Sequence, residues 1–208
     1  FTILDTIRLS DPVSMAMSPN VTRLAVTNFA SSSVSFIDIN PLSPTFHKVV
    51  AETRVEQGPT GISWSPEGDD VFVVSSAANA VTILNGLDFT KKKTVTGFLN
   101  NPIEVAVTPR YAGFGNGSAV FYAYILNGNG TVAVYESGPD GVNGIGFNDI
   151  IGTIPNLVLK RPRTVKMDAV SVQSGVYIGH ADESNLGTIS RVELTSSPLG
   201  VQPTNGNQ

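Results

Sequence analysis

The chain has 208 residues, of which 41 % are hydrophobic and 14 % charged, with 20 Gly, 13 Pro and no Cys. The formal net charge of -4 gives no electrostatic footprint for nucleic acid, and the lack of cysteine excludes disulfides, thiolate metal sites and covalently attached c-type haem. No run of 18 apolar residues exists to span a membrane as a helix.

Taken in order, the elements read as short strands. Few charges, abundant Val, Ser and Thr and many turn residues describe an all-β chain, and no segment carries an amphipathic helical stripe. Thr2–Leu9 reads as an outer strand without a sheet of its own. Then Val13–Met17, Arg23–Asn28, Val34–Ile39 and His47–Val55 form a first set. Within it Leu24 and Val26 alternate on one face, followed by a polar turn and a second alternating run, which is a hairpin signal. The next set is Thr60–Trp64, Asp70–Ser75, Ala80–Leu84 and Lys91–Gly97. The third is Ile103–Val107, Ala119–Leu126, Thr131–Glu136 and Ile150–Leu159. The fourth is Thr164–Met167, Gly175–Gly179 and Thr188–Leu194, with no outer strand.

These sets are copies of one unit. Each opens on a proline: Pro12, Pro59, Pro102 and Pro162, in steps of 47, 43 and 60 residues. Three of the first strands close on a Ser-Pro or Thr-Pro turn, at Ser18-Pro19, Ser65-Pro66 and Thr108-Pro109. A period in the forties is that of a four-stranded β-propeller blade. The expected organisation is an outer strand at 1–10, blades at 11–56, 57–98, 99–159 and 160–194, and a linker or frayed tail at 195–208. Either Thr2–Leu9 completes the last blade and closes a ring, or the four blades are part of a larger ring, or two chains share one. Phe1 is not a natural start, so a processed chain or a fragment is expected.

Ala25-Val26-Thr27-Asn28 followed by Ser33-Val34-Ser35-Phe36-Ile37-Asp38 resembles the YVTN-type β-propeller repeat. Tyr124-Ile125-Leu126-Asn127 with Gly130-Thr131-Val132-Ala133-Val134-Tyr135 is similar to it too. The copies at Val73–Leu84 and Tyr177–Val192 are more divergent. The resemblance implies an exported or surface protein, extracytoplasmic, in a group that includes lactonase-like and amine-dehydrogenase-like propellers. The shared motif is structural, so it implies fold rather than function.

Candidate chemistry is sparse. His180 ends a second strand beside Asp182 and Glu183, a set that can bind a metal or polarise a substrate. Arg161 and Arg163 lie in the basic cluster Lys160-Arg161-Pro162-Arg163, and Asn28 and Asn127 sit at equivalent strand ends. These seven are the candidate ligand- or partner-binding residues; no catalytic residue and no metal ligand is assigned. The insertion at 136–149 offers Asp140, Asn143, Asn148 and Asp149 as oxygen donors for calcium, but departs from the calcium-loop spacing. The expected function is a non-enzymatic exported propeller acting as a protein-interaction or structural module. Its partner is another protein or the rest of a larger propeller, without nucleic acid and without a membrane span. The alternative is a propeller enzyme, lactonase-like or quinoprotein-dehydrogenase-like, with a metal or cofactor in its central channel.

Overall fold

The structure, a computed structural model, describes residues 2, 5–110, 120–138, 148–167 and 175–193. Among them there is no helix, hence none long and apolar enough to cross a membrane. The strands form four antiparallel sheets, each ordered as a meander. Sheet I is β1 (Pro12–Met17), β2 (Arg23–Asn28), β3 (Ser33–Asp38) and β4 (Val49–Arg54). Sheet II is β5 (Pro59–Trp64), β6 (Asp70–Ser75), β7 (Ala80–Asn85) and β8 (Lys91–Val95). Sheet III is β9 (Pro102–Val107), β10 (Tyr122–Asn127), β11 (Val132–Glu136) and β12 (Asp149–Thr153). Sheet IV has three strands, β13 (Lys160–Met167), β14 (Gly175–Ala181) and β15 (Gly187–Glu193).

The unit repeats down to individual hydrogen bonds. The residue before each opening proline has positive φ: Asp11, Gly58, Asn101 and Arg161. The ladder then slips by one or more residues next to the opening proline, which has no N–H to give. The Ser/Thr-Pro turns have a concrete purpose. The Ser18 hydroxyl oxygen accepts the N–H of Arg23 at 2.9 Å, Ser65 accepts that of Asp70 at 2.9 Å, and Thr108 accepts that of Tyr122 at 3.0 Å. Each hydroxyl thereby caps the first hairpin from inside the protein, at a position almost closed to solvent.

Packing divides the chain into two compact units, 1–95 and 96–208. In the first, sheet II lays Ile62, Trp64, Val71, Val73 and Leu84 against Ala25, Val34 and Phe36 of sheet I. The Trp64 ring meets Phe36 edge-on, 6.1 Å between centroids, and its indole N–H donates to the Ala16 carbonyl at 3.0 Å. Phe89 stacks on Phe36 at 4.2 Å. In the second unit Tyr124, Leu126, Val132 and Val134 of sheet III face Val165, Val176 and Ile178 of sheet IV. There Glu104 accepts the Val165 backbone N–H at 2.8 Å and pairs with Lys166.

Several expectations need correction. Thr2–Leu9 is not a strand among the described residues: positions 2 and 5–9 join no ladder. Their alternating pattern suits a strand, but a strand also needs a partner edge for its N–H and C=O groups. The outer strand foreseen over Ile150–Leu159 stops at Thr153, ahead of the turn at Asn156, whose φ is +58°. The one over Lys91–Gly97 stops at Val95, before Gly97 at φ 99°. The first strand of the fourth unit starts earlier, at Lys160. Residues 139–147 of the insertion, with Asp140 and Asn143, and the tail 195–208 lie outside the described residues.

Candidate functional site

In the first three units the last residue of the second strand sits opposite the opening proline of the first strand, and in the fourth His180 is the penultimate residue of β14. Asn28 pairs with Pro12, Ser75 with Pro59 and Asn127 with Pro102. His180 stands in the irregular stretch between the Lys160–Ala181 and Thr164–Gly179 pairs. The side chain there points at the segment that leads into the first strand, and what it does differs from unit to unit.

In sheet III the position is filled. Asn127 is fully buried, and its amide NH₂ donates to the Phe98 carbonyl and to the Thr131 hydroxyl, both at 2.9 Å. Its amide oxygen accepts the Asn100 backbone N–H at 3.0 Å. The side chain thus holds the bent segment 98–100 by one carbonyl and one N–H. Sheet II does the same with hydroxyls: Ser75 donates to the Glu56 carbonyl at 3.0 Å and Ser76 to that of Gly58 at 3.2 Å. The Glu56 carboxylate is fixed by Lys91 at 2.5 Å and Thr94 at 3.1 Å, and the Lys91 hydrogen bond chiefly holds its pKa below the usual range.

In sheet I the position is engaged through its amide nitrogen alone. Asn28 is 1 % exposed; its NH₂ donates to Ser35 at 2.8 Å and to Ser33 at 3.1 Å. Ser33 gives its own proton to Glu52 at 2.6 Å, so towards Asn28 it acts as acceptor. That fixes the orientation of the Asn28 amide. Its oxygen, Oδ1, is then buried with no hydrogen-bond partner, alone in this respect among the described side chains. The Asn28 residue borders a cavity of about 380 Å³ lined also by Arg8, Ser10, Ser35, Val49 and Glu52, with Leu9 bordering both this cavity and a second one. The second, about 620 Å³, lies over the apolar side of sheet I at Met15, Leu24, Val26 and Ile37.

In sheet IV the foreseen cluster is gathered at one end but internally engaged. The His180 Nδ1 lies 2.7 Å from the Ala181 carbonyl and Nε2 2.7 Å from the Ser190 hydroxyl. A carbonyl only accepts, so Nδ1 carries the proton, and in the neutral ring Nε2 accepts from Ser190. Asp182 accepts the N–H groups of Ser184 at 2.8 Å and Leu186 at 2.9 Å, closing its own turn. Glu183 pairs with Lys160 in solvent. Arg161 and Arg163 are exposed on β13.

No protein-family model matches the chain, and no curated protein matches it in sequence. Among solved structures it is similar to the hydrazine synthase of Kuenenia stuttgartiensis, at 14 % identity and a TM-score of 0.45, over 92 % of this chain and 68 % of that one.

Two acidic groups escaped the sequence reading as features of interest. Asp38, at the end of β3, is buried and accepts hydroxyl protons from Ser43 and Thr45, each at 2.5 Å, with Arg23 at 3.0 Å. The Ser43 hydrogen bond, then that of Thr45, hold its pKa down at about 2. It ties the long β3–β4 connection to the sheet. Glu136, at the end of β11, is 5 % exposed, and burial pushes its carboxyl up. Asn148 and Asp149, at the far side of the insertion, bond the Tyr135 hydroxyl and the Ile150 N–H respectively. Among the described residues no three His, Asp or Glu side chains converge as a metal site would require.

Proposed function

We propose that the four sheets are blades of a β-propeller and that the protein is a non-enzymatic, extracytoplasmic interaction or structural module. The observation that carries this reading is the apolar face of sheet I, left open along its β1 edge. Met15, Met17, Leu24, Val26 and Ile37 share that face; Val26 and Ile37 are buried, whereas Met15 and Met17 are 65 % and 53 % exposed. The residues 47 positions later, Ile62, Trp64, Val71, Val73 and Leu84, form the face by which sheet II packs on sheet I. The same face is core in one unit and open at the two methionines in its predecessor. Apolar patches of this kind mark surfaces that bury themselves against a partner. The partner that fits is a further sheet with small and aromatic side chains like Ala16, Ala25 and Phe36, from the rest of a larger propeller or from another protein. The export setting rests on the resemblance of the strand motifs to YVTN-type repeats.

The test is sedimentation of the chain over a concentration series, beside the double variant Met15→Glu/Met17→Glu. Association of the wild type that the charges abolish supports the reading. A wild type that stays monomeric at every concentration, and whose solubility is unmoved by the substitutions, refutes it.

A further inference from the structure

We propose that the Asn28 cavity is a binding site for the main chain of a peptide segment, the inserted N–H being received by Asn28 Oδ1. The proposal rests on the interaction-module reading and names the chemistry of one of its partners.

A buried amide oxygen without a partner is costly, so a native site that keeps one is set up to receive a donor. The Asn28 oxygen is such a group. Its surroundings hold it in place: the NH₂ is taken by Ser33 and Ser35, and Ser33 is itself locked on Glu52. Ser35 accepts from Asn28, which leaves its hydroxyl proton to give to a ligand carbonyl. The wall of the cavity therefore presents one acceptor and one donor, the pair that a peptide unit satisfies.

The molecule itself shows what fits. At the same register in sheet III, Asn127 receives the Asn100 N–H and gives to the Phe98 carbonyl. In sheet II, Ser75 takes the Glu56 carbonyl. Both sites hold the bent main chain that leads into the first strand, with positive φ at Gly58 in one and at Phe98 and Asn101 in the other. In sheet I the residues that would do this are Arg8–Ser10, since Ser10, like Asn100, lies two places before the opening proline. They line the cavity without satisfying Asn28 Oδ1. They belong to no ladder, so an incoming peptide displaces them without breaking a sheet hydrogen bond.

The experiment uses the whole chain and the acetylated hexapeptide of residues 96–101, Thr96-Gly97-Phe98-Leu99-Asn100-Asn101, which occupies the equivalent place in sheet III. Titration followed by amide NMR should give saturable binding, with the largest shifts at the Asn28 side-chain amide. The same peptide methylated on the Asn100 backbone nitrogen, which removes the donor, should bind about tenfold more weakly or not at all. Asn28→Ala should lower affinity by a similar factor, and Ser35→Ala by less. The methylated peptide keeps the test decisive should Asn28→Ala fold poorly. Absence of saturable binding overturns the proposal, as does equal binding of the methylated peptide. So does strong exchange protection of the Ser10 N–H in the free protein that Asn28→Ala removes, because the chain's own segment would then fill the site. None of these outcomes bears on whether the sheets form a propeller.

Discussion

Asn127→Ala and Asn28→Ala, the same substitution at the same register, should differ sharply in cost. Asn127 makes three hydrogen bonds, two of them to backbone groups of the segment 98–100. Removing the side chain strands the Phe98 carbonyl and the Asn100 N–H. Both residues are exposed at their side chains, so water recovers part of the loss. About 1 kcal/mol for each backbone group, plus about 0.5 for the Thr131 bond, gives a cost of about 2–3 kcal/mol. For Asn28 the balance is different. Ala loses two bonds to serines, about 0.5–1.5 kcal/mol each, but also removes a buried oxygen that is worth about 1–3 kcal/mol as a penalty. The net is close to zero. In a protein of this size each kcal/mol moves Tm by about 2–4 °C, so Asn127→Ala should melt about 5–10 °C low and Asn28→Ala within about 2 °C of wild type. Circular dichroism melts and urea titrations of both variants measure this. Equal losses, or a silent Asn127→Ala, would refute the account of one filled and one vacant site.

Other consequences are open to the same instruments. Asp38, with its folded pKa at about 2 against an ordinary 3.8, stabilises the fold fully above pH 3.8 and loses that contribution as pH falls towards 2. The deficit of Asp38→Asn should accordingly be largest near neutrality and vanish in melts at pH 2; a pH-independent deficit would contradict the assignment. Gly86→Ala places a Cβ 1.8 Å from the Gly68 carbonyl oxygen, which forces the two turns apart and should cost about 1–3 kcal/mol in urea unfolding. Trp64→Phe keeps an aromatic ring against Phe36 but orphans the Ala16 carbonyl, for a loss of about 2 kcal/mol read by circular dichroism. A loss below a few tenths would show that the indole hydrogen bond is not formed.

The repeat was legible because its punctuation is chemical. The prolines at 12, 59, 102 and 162 and the Ser/Thr-Pro turns mark strand boundaries that the ladders reproduce within a few residues. The central strands were recognisable for a different reason: β3 and β10 are buried along their whole length, and such strands read as unbroken runs of Val, Ile, Ala and aromatics with small polar residues. What failed was whatever depends on a partner. Thr2–Leu9 has a strand's alternation, but its described residues join no sheet edge. The site residues divide in the same way. Asn28 and Asn127 are one motif position in sequence, yet only geometry shows that one oxygen has a donor and the other does not. His180 drew attention as a lone titratable group, and Ser190 and the Ala181 carbonyl, which engage both of its nitrogens, become visible only once β14 and β15 are in register.

The central claim is that successive sheets stack face to face about a common axis, each lending its apolar side to the next. A three-dimensional reconstruction of the particle that the protein forms in solution tests this most directly. The account predicts a closed ring of like sheets in which Met15 and Met17 are buried against a neighbouring sheet. A map in which those residues face solvent in a complete particle, or in which the sheets pair as a two-layer sandwich, would contradict it.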